Sequence, residues 1–333
     1  MKEKESKDKS MPDLADYMQT VIEQLAKDRK RPAMHTYTYT LKSVRKFYGD
    51  EGTPMPVDEV FCPGRLKEYE EWMKRKGLSL NTVSTYLRTL KAVYNRLADA
   101  GVLPHQPKLF EDVYTKVEPQ TKRALSTEQM GTLLETDTSG LPESERRALA
   151  YFRLMFLFRG MPFIDLAFLR KQDIKGRYIV YSRHKTGRQL VVRIPPEAVA
   201  LMEEFNPVDS SSTYLFPILS AVKQGRKKGK IPQDGTQYRD YQLSLRHFNQ
   251  KLKKIAKRLL PGVQLSSYVA RHTWATLAFH AGIQVGIISK ALGHSSIQVT
   301  ETYLKPFENE KVDAANEALI NSVITCHRER KVV

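Results

Sequence analysis

Four side chains in the second half of this 333-residue chain carry groups that could do chemistry together. Arg271 has a planar guanidinium that can grip a phosphate through two parallel hydrogen bonds. His294, which follows Leu292 and Gly293, can donate a hydrogen bond to the same group. Tyr303 lies nine residues further on, and its phenol, with an ordinary pKa of ~10, needs neighbouring cations to ease its ionisation before it can attack. Lys185 opens Lys185-Thr-Gly-Arg188 between two β-rich segments, where an ammonium at a hairpin tip can reach a leaving oxygen as general acid. Taken singly, the arginine could be a surface ion pair, the histidine structural and the lysine plain surface charge. As a set they suit a phosphodiester, a poor and negatively charged electrophile that needs cations over its non-bridging oxygens and an acid beside the leaving one.

The charge of the chain points the same way. Lys and Arg number 54 against 37 Asp and Glu, a net of +17. Residues 1–121 hold 21 basic and 18 acidic residues, a net of +3, so 17 − 3 leaves +14 on residues 122–333. A lopsided basic field argues for a polyanionic partner, of which nucleic acid is the commonest. A generic basic surface kept for solubility is the plainer alternative, and charge alone does not separate DNA from RNA or anionic lipid. Hydrophobic residues at 41% and aromatics at 9% are enough for real cores, which excludes a wholly disordered basic chain. The longest apolar stretch, Ala148 to Phe158, is cut by Arg153 and falls short of the ~18 residues of a membrane span. The amino-terminal MKEKESKDKS has no apolar core, so neither a secretory signal nor a transit peptide is expected and a cytoplasmic location is. Cys62 and Cys326 are too few for a disulfide framework or a cysteine zinc site, and Cys326-His327 reads as an exposed tail; no metal or other cofactor is expected.

Positioning four such groups takes a framework, and at ~150 residues per domain the length suggests about two domains. Helices are predicted over Leu14 to Lys27 with Asp13 as N-cap, Met34 to Tyr48, Arg65 to Lys76, and Ser79 to Ala100. In the last, Leu80, Val83, Leu87, Leu90, Tyr94 and Leu97 make one apolar face. Its far side presents Asn81, Thr85, Arg88 and Asn95, short polar and cationic groups suited to phosphate oxygens, although for this helix alone an ordinary solvated face is the preferred reading. Pro104, Pro107 and Pro119 mark a linker. Beyond it, Ser126 to Gln129 is a capping box, helices follow over Pro142 to Phe158 and Phe163 to Lys171, and Tyr178 to Arg183 with Gln189 to Ile194 form a hairpin. Lys223, Arg226, Lys227, Lys228 and Lys230 form a basic loop. Helices over Arg239 to Leu260, Ser267 to Ala281, Val285 to Leu292, Gln298 to Tyr303 and Asn309 to Val323 complete the chain.

Read together, Arg271-His272, Leu292-Gly-His294 and Tyr303, with Lys185-Thr-Gly187, Gly160 to Leu169 (GMPFIDLAFL) and Leu80-Asn-Thr-Val83 upstream, resemble the tyrosine recombinases, the phage-integrase family of DNA strand-exchange enzymes. Lys-Thr-Gly alone is a weak signal, but five pieces in the right order are highly specific, and the resemblance runs from about Leu14 to Ile320. It implies a fold that is mainly α with a small antiparallel β-sheet: a helical core-binding, SAM-like domain plus a tyrosine-recombinase catalytic domain. The expected layout is a disordered tail at 1–12, the core-binding domain at 13–104, a linker at 105–121, the catalytic domain at 122–308 and a carboxy-terminal helix and tail at 309–333. The resemblance further implies attack by Tyr303 to give a 3′-phosphotyrosyl enzyme and a free 5′-hydroxyl, with neither metal nor ATP. It implies double-stranded DNA as partner, clamped between the two domains, a homotetramer on DNA that could be monomeric in solution, no membrane, and association with the nucleoid. With about 120 residues before the catalytic domain, a simple recombination site is expected rather than one with distant arm sites.

Two positions depart from the family pattern. Tyr268 stands where His-x-x-Arg has its histidine; it can still donate a hydrogen bond but cannot be a cation. Pro162 stands where Gly-x-Arg has its arginine. Both changes look like those of the integrase branch typical of Bacteroides-type mobile elements. Arg159, three residues earlier, is the expected replacement cation, with surface charge as its alternative and Arg183 or Arg188 as the next candidates. Two rival activities are a type IB topoisomerase, which reseals the cleaved strand to itself, and a catalytically inactive DNA-binding protein of the same fold.

Overall fold

The computed structural model describes residues 11–28, 30–49, 52–118, 123–205, 212–219, 236–302, 304 and 316–321. Most of the expected tail, the basic loop Lys223 to Lys230, Tyr303 and Cys326-His327 lie outside the described residues; of the expected carboxy-terminal helix, residues 316–321 are described and are helical. The chain divides into two compact units, Met1–Gln120 and Thr121–Val333.

The first unit is helical throughout: α1 (Leu14–Lys27), α2 (Arg31–Tyr48), α3 (Val57–Val60), α4 (Pro63–Arg75) and α5 (Leu80–Asp99). Asp13 fixes its start twice over, its carboxylate accepting from Ala15 N at 2.7 Å as an N-cap and from Met55 N at 2.6 Å. Ser79 caps α5, and the apolar stripe of that helix is buried in one core with Leu14, Met18, Leu41 and Met73. The structure moves the end of this unit. Leu109, Phe110 and Val113, placed by the sequence in a linker, belong to the same core as α5. Tyr94 turns the chain back onto it, its hydroxyl donating to Pro104 O at 2.7 Å and accepting from Gln106 N at 2.6 Å. A segment held in irregular turns carries no helical or strand period, which is why its packing is invisible in the sequence.

The second unit contains α6 (Thr127–Glu135), α7 (Glu143–Leu157), α8 (Phe163–Phe168), a 3-10 turn (Lys171–Asp173), β1 (Ile174–Lys175), β2 (Tyr178–Ser182), β3 (Gln189–Arg193), α9 (Pro196–Glu204), α10 (Thr236–Leu259), α11 (Ser267–His280), α12 (Val285–Leu292) and α13 (Ile297–Glu301). Helix α7 is the hub and packs against α6, α8, α9, α10 and α11. The sheet is antiparallel in the order β1-β2-β3, with Ile179 opposite Val192 on its buried face. The predicted capping box at Ser126 and Gln129 is present, whereas α8 ends at Phe168 because Leu169 is extended and pairs by hydrogen bond with Leu215. No described helix is long and apolar enough to cross a membrane.

Arg153 shows how an arginine sits inside the apolar run of α7. Its Nε donates to Leu133 O at 2.6 Å and one terminal nitrogen donates to Thr136 O at 2.7 Å, so it satisfies carbonyls at and just beyond the carboxy-terminal turn of α6. Arg153→Leu keeps the volume and strands both acceptors, and it should destabilise the chain by about 1–3 kcal/mol, read as a lower urea midpoint.

Candidate active site

The site is built around the carboxy-terminal end of α12. Gly293 terminates that helix in the left-handed conformation, φ 66°; Gly293 N and His294 N close back on Lys290 O and Ser289 O, and Leu292 O is left to side-chain donors. Arg271, from α11, donates one terminal nitrogen to Leu292 O at 2.7 Å and the other to Gly160 O at 2.9 Å. Arg183, from the end of β2, donates to the same Leu292 O at 2.9 Å and to Gly293 O at 3.3 Å. Both guanidiniums are buried, 3% and 6% exposed, and they converge on a single carbonyl. Two features offset their mutual repulsion: the negative end of the α12 dipole, and the buried Asp165 carboxylate, which lies 3.4 Å from Arg183 Nε and also accepts from His184 N at 3.0 Å.

Two glycines make room for these arginines. A Cβ on Gly293 would come within 2.9 Å of Arg183 Cδ, and one on Gly160, φ 68°, within 3.1 Å of Arg271 Cα. The Leu292-Gly-His294 sequence therefore does three things in order: it exposes an acceptor, admits a guanidinium and swings the histidine back over the same point.

His294 lies against Arg271, whose terminal nitrogen is 2.8 Å from Nε2, while Nδ1 is 2.8 Å from the Thr300 hydroxyl. A guanidinium can only donate, so Nε2 is the acceptor, the proton is on Nδ1, and Nδ1–H donates to Thr300. Burial, reinforced by the positive charges of Arg271, Arg183 and Lys185, pushes the imidazole pKa down from 6.5 to about 4. His294 is neutral at pH 7 in the free protein. Arg188, on the far limb of the hairpin, donates to the His294 carbonyl at 2.8 Å.

The remaining candidates occupy varied settings. Lys185 is exposed at the hairpin tip, where Gly187 N donates to Arg183 O and Arg183 N to Arg188 O. Tyr268 is 52% exposed on α11, one turn before Arg271, with its ring edge-on to His272 at 4.7 Å. Arg159 has φ 59° and donates to Val191 O at 3.4 Å; Pro162 is the N-cap of α8. In the first unit the Asn81 amide closes on the Glu118 backbone, donating to its carbonyl at 3.2 Å and accepting from its N–H at 2.9 Å. Thr85 returns its hydroxyl to Asn81 O at 2.7 Å, and Arg88 is exposed. Asp165 and Thr300 were not singled out in the sequence. Arg183 had a usable signal: Ile179 and Tyr181 are buried, and strand alternation carries the same inward parity to residue 183.

This arrangement sets two buried guanidiniums beside a neutral imidazole, donors of the kind an oxyanion takes. The chain belongs to the phage integrase family: the model of that family matches residues 123–310, and that of the phage integrase SAM-like domain matches residues 13–113. A tyrosine recombinase of Pseudothermotoga lettingae is 31% identical over 264 residues, covering 76% of this chain and 81% of the relative. Tyrosine recombinase XerC of a Roseiflexus species is 26% identical over 235 residues, 70% of each chain. Among solved structures, the Tn1549 transposon integrase in complex with a circular intermediate DNA superposes with a TM-score of 0.62 at 19% identity, over 91% of this chain and 99% of that one. A lambda integrase dimer bound to a core site gives 0.61 at 14%, over 88% and 95%. At such identities the two structures are evidence of shared fold.

The depressed pKa of His294 has a sign that can be measured. Between pH 6.5 and about 4 the unfolded chain binds a proton at residue 294 and the folded chain does not. The contribution of the neutral ring is therefore complete above pH 6.5 and is lost as pH falls toward 4, a difference of roughly 3 kcal/mol. Urea unfolding at pH 7 and pH 4.5 should show wild type losing roughly 2–3 kcal/mol more than His294→Asn over that interval.

Proposed function

We propose that this chain is a site-specific recombinase that breaks and rejoins duplex DNA through a transient 3′-phosphotyrosyl bond at Tyr303. The observation that carries the reading is the convergence of Arg271 and Arg183 on Leu292 O beside a neutral histidine. A scissile phosphate entering there offers both guanidiniums a better acceptor than a carbonyl. Arg271 and Arg183 then neutralise the non-bridging oxygens and His294 adds a hydrogen bond. The Tyr303 oxygen bonds to phosphorus as the bond to the 5′-oxygen breaks; the tyrosine proton goes to solvent and Lys185 gives a proton to the departing oxygen. The phosphotyrosine ester conserves the energy of the broken bond, so the 5′-hydroxyl of a second DNA end reverses the step without ATP.

In this reading Arg183 supplies the cation that Pro162 withholds, and Arg159, directed to Val191 O, supports the hairpin. Tyr268 adds a hydrogen-bond donor at the rim. A tetramer on duplex DNA, held together through the carboxy-terminal helix, completes the proposal. It draws support from the Tn1549 and lambda integrases, the first bound to a circular intermediate DNA and the second bound as a dimer to a core site. Pro162 favours one rival, a DNA-binding protein without catalysis.

A nicked suicide duplex, which lets the short cleaved product diffuse away, separates the two. Wild type should accumulate a covalent adduct and Tyr303→Phe should bind the duplex without forming one; an adduct in the phenylalanine variant would overturn the assignment of the nucleophile. On the same substrate Arg183→Ala should slow cleavage by roughly 10²- to 10³-fold, the usual cost of one preorganised transition-state donor, while Arg159→Ala stays within a few-fold of wild type. The opposite ranking would return the second cation to Arg159.

A further inference from the structure

We propose that the Thr300 hydroxyl is a tautomer switch for His294: it accepts from Nδ1–H in the free protein and turns to donate to Nδ1 when a phosphate displaces Arg271 from Nε2, which frees Nε2–H to donate to the phosphate. The inference rests on the reading of this site as one that binds a DNA phosphate.

The geometry sets the problem. In the free protein Nε2 faces an Arg271 nitrogen at 2.8 Å, and that nitrogen can only donate, so Nε2 holds a lone pair. A phosphate oxygen can only accept from nitrogen, so against a phosphate Nε2 must hold a hydrogen. The ring must therefore exchange its proton between nitrogens or gain a second one. Three nearby cations, Arg271 and Arg183 against Leu292 O and Lys185 on the hairpin, oppose a second proton, and burial opposes it further. The exchange requires a partner at Nδ1 that can both accept and donate, and a hydroxyl is the simplest group with both capacities. Thr300 is fully buried, lies 2.8 Å from Nδ1, and sits on α13, which Ser296 caps. During the switch one proton leaves Nδ1 for water and one arrives on Nε2, so no net proton is taken up. Thr300 is thus a positioning residue, acting through the histidine.

The test reads the ring directly. In full-length protein labelled with ¹⁵N-histidine, His294 is assigned by its loss in His294→Asn, and its two nitrogens are followed by NMR with and without a duplex carrying the cleavage site. The expected result is a neutral ring protonated at Nδ1 when free and at Nε2 when bound. An Nε2 proton in the free protein, an unchanged Nδ1 proton in a wild-type complex that goes on to form the adduct, or an imidazolium with both protons in that complex would each overturn the switch. In single-turnover cleavage Thr300→Val, nearly isosteric but without the hydroxyl, should lose about 10- to 100-fold, the range for removing the partner that orients a functional histidine, while Thr300→Ser restores most of it. Equal rates for Thr300→Val and wild type would overturn the proposal; equal losses in valine and serine would make residue 300 a packing position and overturn it as well. A wild-type protein that shows the free-state Nδ1 proton yet forms no adduct would refute the recombinase reading and, with it, the bound half of the switch, leaving the free-state assignment standing.

Discussion

A single carbonyl organises the catalytic unit. Leu292 O ends α12, has no helical donor, and receives hydrogen bonds from two guanidiniums that come from different parts of the chain, one on α11 and one at the end of β2. Like charges do not assemble unaided, and here the helix terminus and Asp165 supply the opposing field. Gly293 is required because any side chain would occupy the space of Arg183, and Gly160 because α11 passes so close to it. The hairpin, α8, α11 and α12 are held to one another through the same few polar groups, so the architecture that forms the site also holds together the elements around it.

The free protein keeps this site occupied by itself. Arg271 is committed to Gly160 O, Leu292 O and His294, Arg183 to Leu292 O, Gly293 O and Asp165, and His294 to Arg271 and Thr300. Buried charges left without partners would be strongly destabilising, so the two buried guanidiniums need internal acceptors in the free protein. Neutral carbonyls suit that task better than a second carboxylate would. They hold the arginines in place yet would compete weakly with the phosphate of the proposed function, which brings full negative charge.

Much of this was legible in the sequence where a local rule and the fold agree. The boundaries of α1 and α12, the caps at Asp13 and Ser79, the capping box and the hairpin follow from residue type and period. What escaped was carried by single residues or very short elements. The two-residue strand β1 and the four-residue helix α3 are too short to show a period, and Leu109, Phe110 and Val113 are buried in irregular turns tied down by Tyr94, Lys67 and Asn81. Asn81 illustrates another limit: its type and its place on the polar side of α5 suggest a contact with phosphate, but its amide is engaged with the backbone of Glu118, thirty-seven residues away. In the site, Arg271 and His294 stand out through the family motif they resemble, whereas Asp165 and Thr300 become visible only when the chain brings them to Arg183 and His294.

The hairpin also bears on how freely this part of the chain can vary. Arg183 is anchored at its base and Lys185 stands two residues later in the turn, and Arg188 closes the turn while reaching the His294 carbonyl. Three cationic side chains thus share one short loop whose geometry is set by Gly187 and by two backbone hydrogen bonds. Adding or deleting a residue between 183 and 188 would shift the register of β3 against β2 and move Lys185 and Arg188 relative to Arg183. Surface turns commonly tolerate changes of length, but in lineages that retain this layout, residues 183–188 should keep their number even where their identities drift.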